Sequence, residues 1–287
     1  MTTTAASNKD SMKEDEDVRT RRVRDIGRPG GLFRACMDAI RVPHETGQKL
    51  RAAALLAGVM TDRRCYAELL GQFYLCTAAL ERALQEQKRS RKLGACVSEG
   101  DSSSILVKIS SLGYSFTKDY EADLSALLGE RWEDIIKEIS VPTTGTYVNL
   151  IEEAARSGDD PTLVAAAFIL WGPLVIGGGA ALRPKVKRRF GEECIHVFDS
   201  VTGPRREERK KRFVDCYDGL VGLSEIEETK TFERIVNLSS KFMTLNNRLM
   251  MECRQRPWWS KYVMAGMATA VAFGVGVFLA ADGTKKK

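Results

Sequence analysis

The chain has 287 residues, 44% hydrophobic and 29% charged, a balance that suits one large or two small globular domains and excludes collagenous or wholly disordered chains. Lys and Arg number 44 against 38 Asp and Glu, a formal charge of +6, and so small and dispersed an excess argues against a dedicated nucleic-acid binder. The seven cysteines are scattered and form no C-x-x-C pair, and there are two histidines. A disulfide scaffold, a zinc module or a multi-histidine metal site is therefore not expected, whereas reduced cytosolic thiols are.

Residues 1–31 are polar, contain Asp10, Glu14, Asp15, Glu16 and Asp17, and end at Pro29-Gly30-Gly31. They hold no apolar run for a secretory signal and too many acids for a transit peptide, so a disordered arm is expected. From residue 32 to about 255 helical spacing dominates. Leu32, Phe33, Cys36, Met37, Ile40 and His44 share one face. Thr61 is placed to cap a helix through Glu81, striped by Leu69, Leu70, Phe73, Tyr74, Thr77 and Leu80. Polar residues 87–103 read as a loop, and helical patterning returns over 105–128 and 132–137. Another loop is expected around Pro142-Thr143-Thr144-Gly145, then a short helix over 147–156. Asp160-Pro161 pairs an N-cap acid with proline at the first helical position. Ser224-x-x-Glu227 has capping-box spacing ahead of Phe232, Ile235, Leu238, Phe242, Leu245 and Leu249 at helical intervals. With no strand alternation and no repeat, the expected architecture is a single all-α domain over 32–255.

Two stretches, 163–182 and 262–281, each run twenty residues without a charge, the length that crosses a bilayer core. Pro173 and Gly177-Gly178-Gly179 interrupt the first, and amphipathic helices surround it, so a bent core helix is expected there. The second is flanked by Trp258, Trp259, Lys261 and Tyr262, with a basic tail over 282–287, which is the pattern of a membrane anchor. The domain is thus expected to face the cytosol from the endoplasmic reticulum or the mitochondrial outer membrane. Gly266, Ala270 and Gly274, four residues apart, offer a contact for self-association within the membrane.

A lone histidine on an apolar helix face is usually a core residue. His44 gains a second meaning beside a glycine-broken apolar helix, because the two together supply both sides of a porphyrin slot. Imidazole ligates iron from one side, and glycine backbone lies flat over the other. His196, in Glu193-Cys194-Ile195-His196-Val197, reads as an ordinary surface or loop residue.

At these motifs the sequence resembles the heme oxygenase family. Ala39-Ile40-Arg41-Val42-Pro43-His44-Glu45, the helix from Thr61 to Ala79-Leu80-Glu81, and Glu121-x-Asp123-Leu124 come first. Gly129-x-Arg131-Trp132, Tyr147-Val148, Leu163-Val164-Ala165 and Trp171-Gly172 with its glycine run follow in the family's order over about residues 32–253. The resemblance implies an all-α heme oxygenase-like domain with a kinked, glycine-rich distal helix. It implies heme as both cofactor and substrate, His44 as the axial iron ligand, and Gly172, Gly177, Gly178 and Gly179 over the ring. Lys211, in Arg209-Lys210-Lys211-Arg212, matches a contact to a heme propionate. The implied reaction opens heme to biliverdin, carbon monoxide and ferrous iron, using O2 and electrons from a flavoprotein reductase or a ferredoxin system.

The chain departs from the family pattern at the distal side. The family's Gly-Asp-x-x-Gly-Gly becomes Gly172-Pro173-Leu174-Val175-Ile176-Gly177-Gly178-Gly179, so proline replaces the carboxylate that organises distal water. No residue is left to be assigned as catalytic. Met37 replaces a lysine, Asp215 an arginine and Phe168 a tyrosine. The alternative expectation is therefore a non-catalytic relative that senses or carries heme, or serves as a membrane-tethered scaffold.

Overall fold

The computed structural model describes residues 30–56, 62–94, 105–220 and 225–253. The expected arm up to residue 29, the apolar stretch 262–281, the basic tail 282–287, Thr61 and Ser224 lie outside the described residues. Within them the fold is all-helical: α1 (Leu32–Ala39), α2 (Arg41–Leu56), α3 (Arg63–Gly94), α4 (Ile105–Ser111), α5 (Thr117–Leu128), α6 (Trp132–Glu138), α7 (Pro142–Ser157) and α8 (Asp160–Pro173). A π-helical turn (Leu174–Gly178) leads into α9 (Gly179–Phe190), followed by a 3-10 turn (Glu192–Cys194), α10 (His196–Asp199), α11 (Arg206–Asp218) and α12 (Glu225–Glu252).

Helix α8 is the axis of the core. Every residue from Thr162 to Gly172 is buried, and α3, α4, α7 and α12 pack around it. Of the apolar stretch running through α8 and α9, 72% is buried inside the protein. Its hydropathy is that of a helix surrounded by other helices, the outcome that Pro173 and the glycines led one to expect.

Acids from one helix close the N-termini of others. Buried Glu81 of α3 accepts Phe116 N–H at 2.6 Å and the Thr117 hydroxyl at 2.6 Å at the head of α5. Glu252 of α12 accepts Thr143 N–H at 2.9 Å at the head of α7. Asp218 of α11 accepts Phe33 N–H at 3.1 Å at the head of α1. A helix start leaves amides without intrahelical partners and carries a partial positive charge, so a carboxylate there is doubly favourable.

These remote caps explain where the helices depart from local sequence signals. Expected as a loop, Pro142–Gly145 instead opens α7, because Gln72 Oε1 takes Val141 N–H at 3.1 Å and the Thr144 hydroxyl at 2.7 Å. The expected loop over 87–103 is helical as far as Gly94; Gln87 is tied to the Ala155 carbonyl of α7, a contact that local polarity does not reveal. The single helix expected over 105–128 is two, because Gly113 turns left-handed at φ 67° and Glu81 caps the restart. Asp62 accepts the first amides of α3, from Arg64 at 2.9 Å and Cys65 at 3.0 Å. At α8 the cap is Asp159, one residue before the expected Asp160.

Candidate functional site

His44 sits in the first turn of α2. Ile40 keeps right-handed geometry between α1 and α2 (φ −84°, ψ −5°), and His44 N–H reaches the Ile40 carbonyl at 2.7 Å, so the two helices form one bent rod. On the inner side Phe33 and Cys36 are fully buried and Met37 packs against the core. On the outer side Arg41, Val42 and Glu45 are exposed, and His44 is half-buried between these faces. The Pro43 carbonyl, directly before His44, accepts a hydrogen bond from Asn247 Nδ2 of α12 at 2.6 Å.

The kink after α8 follows from its sequence. Pro173 has no N–H to return to the Ile169 carbonyl, the ladder shifts to a π-helical turn, and Gly177 leaves helical geometry (φ 170°, ψ −19°). The glycines then divide into two kinds. A Cβ on Gly178 would stand 2.6 Å from the Pro173 carbonyl oxygen, and one on Gly179 would stand 2.9 Å from Val201 Cγ2. Gly172 lies buried with the Phe213 ring at 3.7 Å from such a Cβ. At Gly177, by contrast, nothing lies within 4 Å. Pro173 and Gly178 are exposed at the same kink, so Gly177 and Gly178 border open space while Gly172 and Gly179 serve packing. The expected result is that Gly178→Ala, whose new atom meets backbone, lowers stability by about 2 kcal/mol. Gly177→Ala changes it by about 1 kcal/mol or less. Urea midpoints of the two variants check the contrast.

The histidine rod and the kink are joined by two helices. α11 packs against both α1 and the π-helical turn, and α12 packs against both α2 and α8. An aromatic cluster fills the interior between them: Phe33 meets Phe168 edge-on at 5.7 Å, and Phe168 meets Tyr217 at 5.0 Å. Phe168, where the family resemblance expects a hydroxyl, is 3% exposed within this apolar cluster. Lys211, Arg212 and Asp215 are exposed on α11. Lys210 reaches Glu207 at 3.7 Å, and an Arg212 N–H reaches the Ser111 carbonyl at 3.4 Å.

His196 is more than the surface residue expected of it. Its backbone N–H and Nδ1 lie 2.7 and 2.8 Å from Oδ1 of fully buried Asp123, whose Oδ2 takes Val197 N–H at 3.1 Å. Burial pushes the Asp123 carboxyl above the usual carboxylate range, against the pull of these hydrogen bonds. Glu68, the remaining buried acid, pairs with Arg64 at 3.3 Å. Every buried carboxylate described is thus committed to a cap or an ion pair. The six described cysteines are free thiols. Burial pushes Cys36 and Cys253 up to about 12, far from a nucleophile's range.

Comparison with known proteins gives one family. The heme oxygenase family profile matches residues 38–250. No curated protein sequence matches the chain. Among solved structures, the chain is similar to heme oxygenase 2 from Chlamydomonas reinhardtii without heme, at TM-score 0.66 and 20% identity over 79% of this chain and 99% of that one. It is similar to heme oxygenase-1 from the cyanobacterium Synechocystis in complex with heme, at TM-score 0.59 and 17% identity over 85% and 99% of the two chains. A third likeness is to heme oxygenase from Leptospira interrogans, at TM-score 0.61 and 17% identity over 77% and 99%.

Proposed function

The chain belongs to the heme oxygenase family, and from that premise we propose that it binds heme through His44 and opens the ring slowly. One observation carries the reading: the α8–α9 kink presents bare backbone at Gly177, where an added Cβ would meet nothing within 4 Å, directly after a helix buried from Thr162 to Gly172. The residue types on the two elements suit such a group, although the aromatic cluster of Phe33, Phe168 and Tyr217 fills the interior between them and must yield to admit a ring. His44 offers a half-buried imidazole on a rod fixed to α11 and α12. Gly177 and Gly178 offer a surface on which a planar ring can lie without meeting a side chain. Gly172 and Gly179 let that surface approach by packing closely behind it. Lys211, exposed on α11, offers its ammonium to a propionate.

Heme, when bound, supplies the iron at which oxygen is activated and the porphyrin that is oxidised. The chain's own distal residues supply little to that chemistry. Pro173 brings neither carboxylate nor N–H, and the buried acids are held elsewhere. Proton delivery by a positioned side chain contributes roughly 100-fold or more in such steps, so its loss supports slow turnover. The same loss favours a second reading, in which heme is sensed or carried and never opened. Membrane attachment through residues 262–281, with electrons from a flavoprotein reductase or ferredoxin, completes the proposal. The uncharged stretch and its flanking aromatics and lysines support the anchor.

The test is the full-length chain in detergent titrated with hemin, then given reductase, reductant and O2. A Soret band that saturates at one heme per chain and gives way slowly to biliverdin is the expected result; absence of any Soret shift would overturn the proposal. Pro173→Asp is expected to accelerate biliverdin formation about tenfold or more. The substitution also returns an N–H to the Ile169 carbonyl, so no loss of stability should accompany it. A stable Soret band in both proteins would establish the carrier reading.

A further inference from the structure

Asn246 and Asn247 of α12 are each 7% exposed, and the Oδ1 atom of each is buried without a hydrogen-bond partner. Met243, one turn before both, and Leu249, one turn after Asn246, are apolar core residues. A buried amide with half its capacity unused is unfavourable where a leucine would pack, so its presence calls for a reason. At Asn247 the reason is visible. Its Nδ2 donates to the Pro43 carbonyl at 2.6 Å, across 204 residues of sequence. A carbonyl cannot donate, so the amide nitrogen is the atom that must face Pro43.

The tie falls where α2 is weakest. Pro43 cannot donate to the Ala39 carbonyl, so the turn joining α1 to α2 lacks one rung of its ladder. Val42 beside it is 66% exposed and gives the turn no apolar anchorage. The backbone that aims the His44 imidazole is therefore held from outside the helix, by a side chain of α12. That helix also packs on α8, so one element sets the His44 turn relative to the helix that carries the kink.

We infer that Asn247 is a positioning residue for His44, fixing the Pro43–His44 turn through its carbonyl. The functional consequence rests on His44 being the heme ligand. The mechanical part does not, which allows the two to fail separately.

The experiment compares Asn247→Leu, Asn247→Gln and Ser239→Ala in the full-length chain. Ser239 is a control on the same helix, fully buried and bonded to Cys36 and Ile235 rather than to α2. Without heme, amide hydrogen exchange over residues 44–48 is expected to accelerate about tenfold in Asn247→Leu. Asn247→Gln, which keeps the donor, should recover most of the protection, and Ser239→Ala should leave it at the wild-type rate. With hemin, Asn247→Leu should shift the Soret maximum and the ferrous iron–imidazole stretching frequency, and Ser239→Ala should shift neither. Unchanged exchange over 44–48 in Asn247→Leu overturns the inference, whatever the heme result. Faster exchange with wild-type spectra retains the mechanical tie and overturns the positioning role. Faster exchange in Asn247→Leu when the wild type itself takes up no heme confirms the tie and removes instead the reading of His44 as ligand.

Discussion

His44→Ala is expected to abolish the hemin-induced Soret band, weakening binding at least about a hundredfold, while His196→Ala leaves the band unchanged. The chain has two histidines, so the pair of variants is a complete search of its imidazoles. His196 Nδ1 is held 2.8 Å from the Asp123 carboxylate, which leaves Nε2 as the nitrogen a metal would have to use, so the His196→Ala arm is a real control. Its side chain is 48% exposed and opens α10, outside the α1–α2 rod that carries His44. His44 is half-buried and lies on the rod that α11 and α12 connect to the open side of the kink. Removing an axial ligand costs more than disturbing its supporting partner, which alone is worth 10–100-fold in metal affinity. Free imidazole added to His44→Ala should restore the band by filling the vacated site, which separates ligand loss from unfolding. If His44→Ala binds hemin as the wild type does, the axial assignment is wrong.

Those features were legible in the sequence because each has a local cause. Apolar spacing marked α1, α3 and α12, and the proline with three glycines marked the kink. The family's order of motifs marked His44. What the sequence hid were the remote contacts. Nothing near Pro142 announces that Glu252 and Gln72 will build the start of α7. Gln87 gives no local sign of reaching the Ala155 carbonyl. The glycine run reads as one surface, yet packing by Val201 and Phe213 leaves Gly177 and Gly178 at the open side. Asn247 could not be singled out at all, since its partner lies 204 residues away. Asp123, read as one letter of a family motif, turns out to hold a corner of the fold.

That corner sets the second large effect. Asp123→Ala is expected to lower stability by about 3 kcal/mol, because three N–H groups lose their acceptor inside the protein. For a domain of this size the melting temperature should fall by roughly 6–12 °C. Two of the three donors are the amides of His196 and Val197, at the head of α10. The residues that follow, Phe198 and Val201, are those packed on Gly179, so loosening α10 removes the backing of the kink. Hemin affinity should therefore fall along with stability, although Asp123 touches no part of the proposed ring surface. The pH dependence has a definite sign. Burial holds the folded pKa of Asp123 above its unfolded value, so the proton is bound more tightly in the folded chain. The carboxyl's contribution to stability is then fullest below about pH 4, the unfolded value. It declines as pH rises through the folded pKa and is constant beyond it. The gap in urea midpoint between wild type and Asp123→Ala should narrow over that window. A gap that instead widened with rising pH would show that the hydrogen bonds outweigh burial and hold the folded carboxylate ionised.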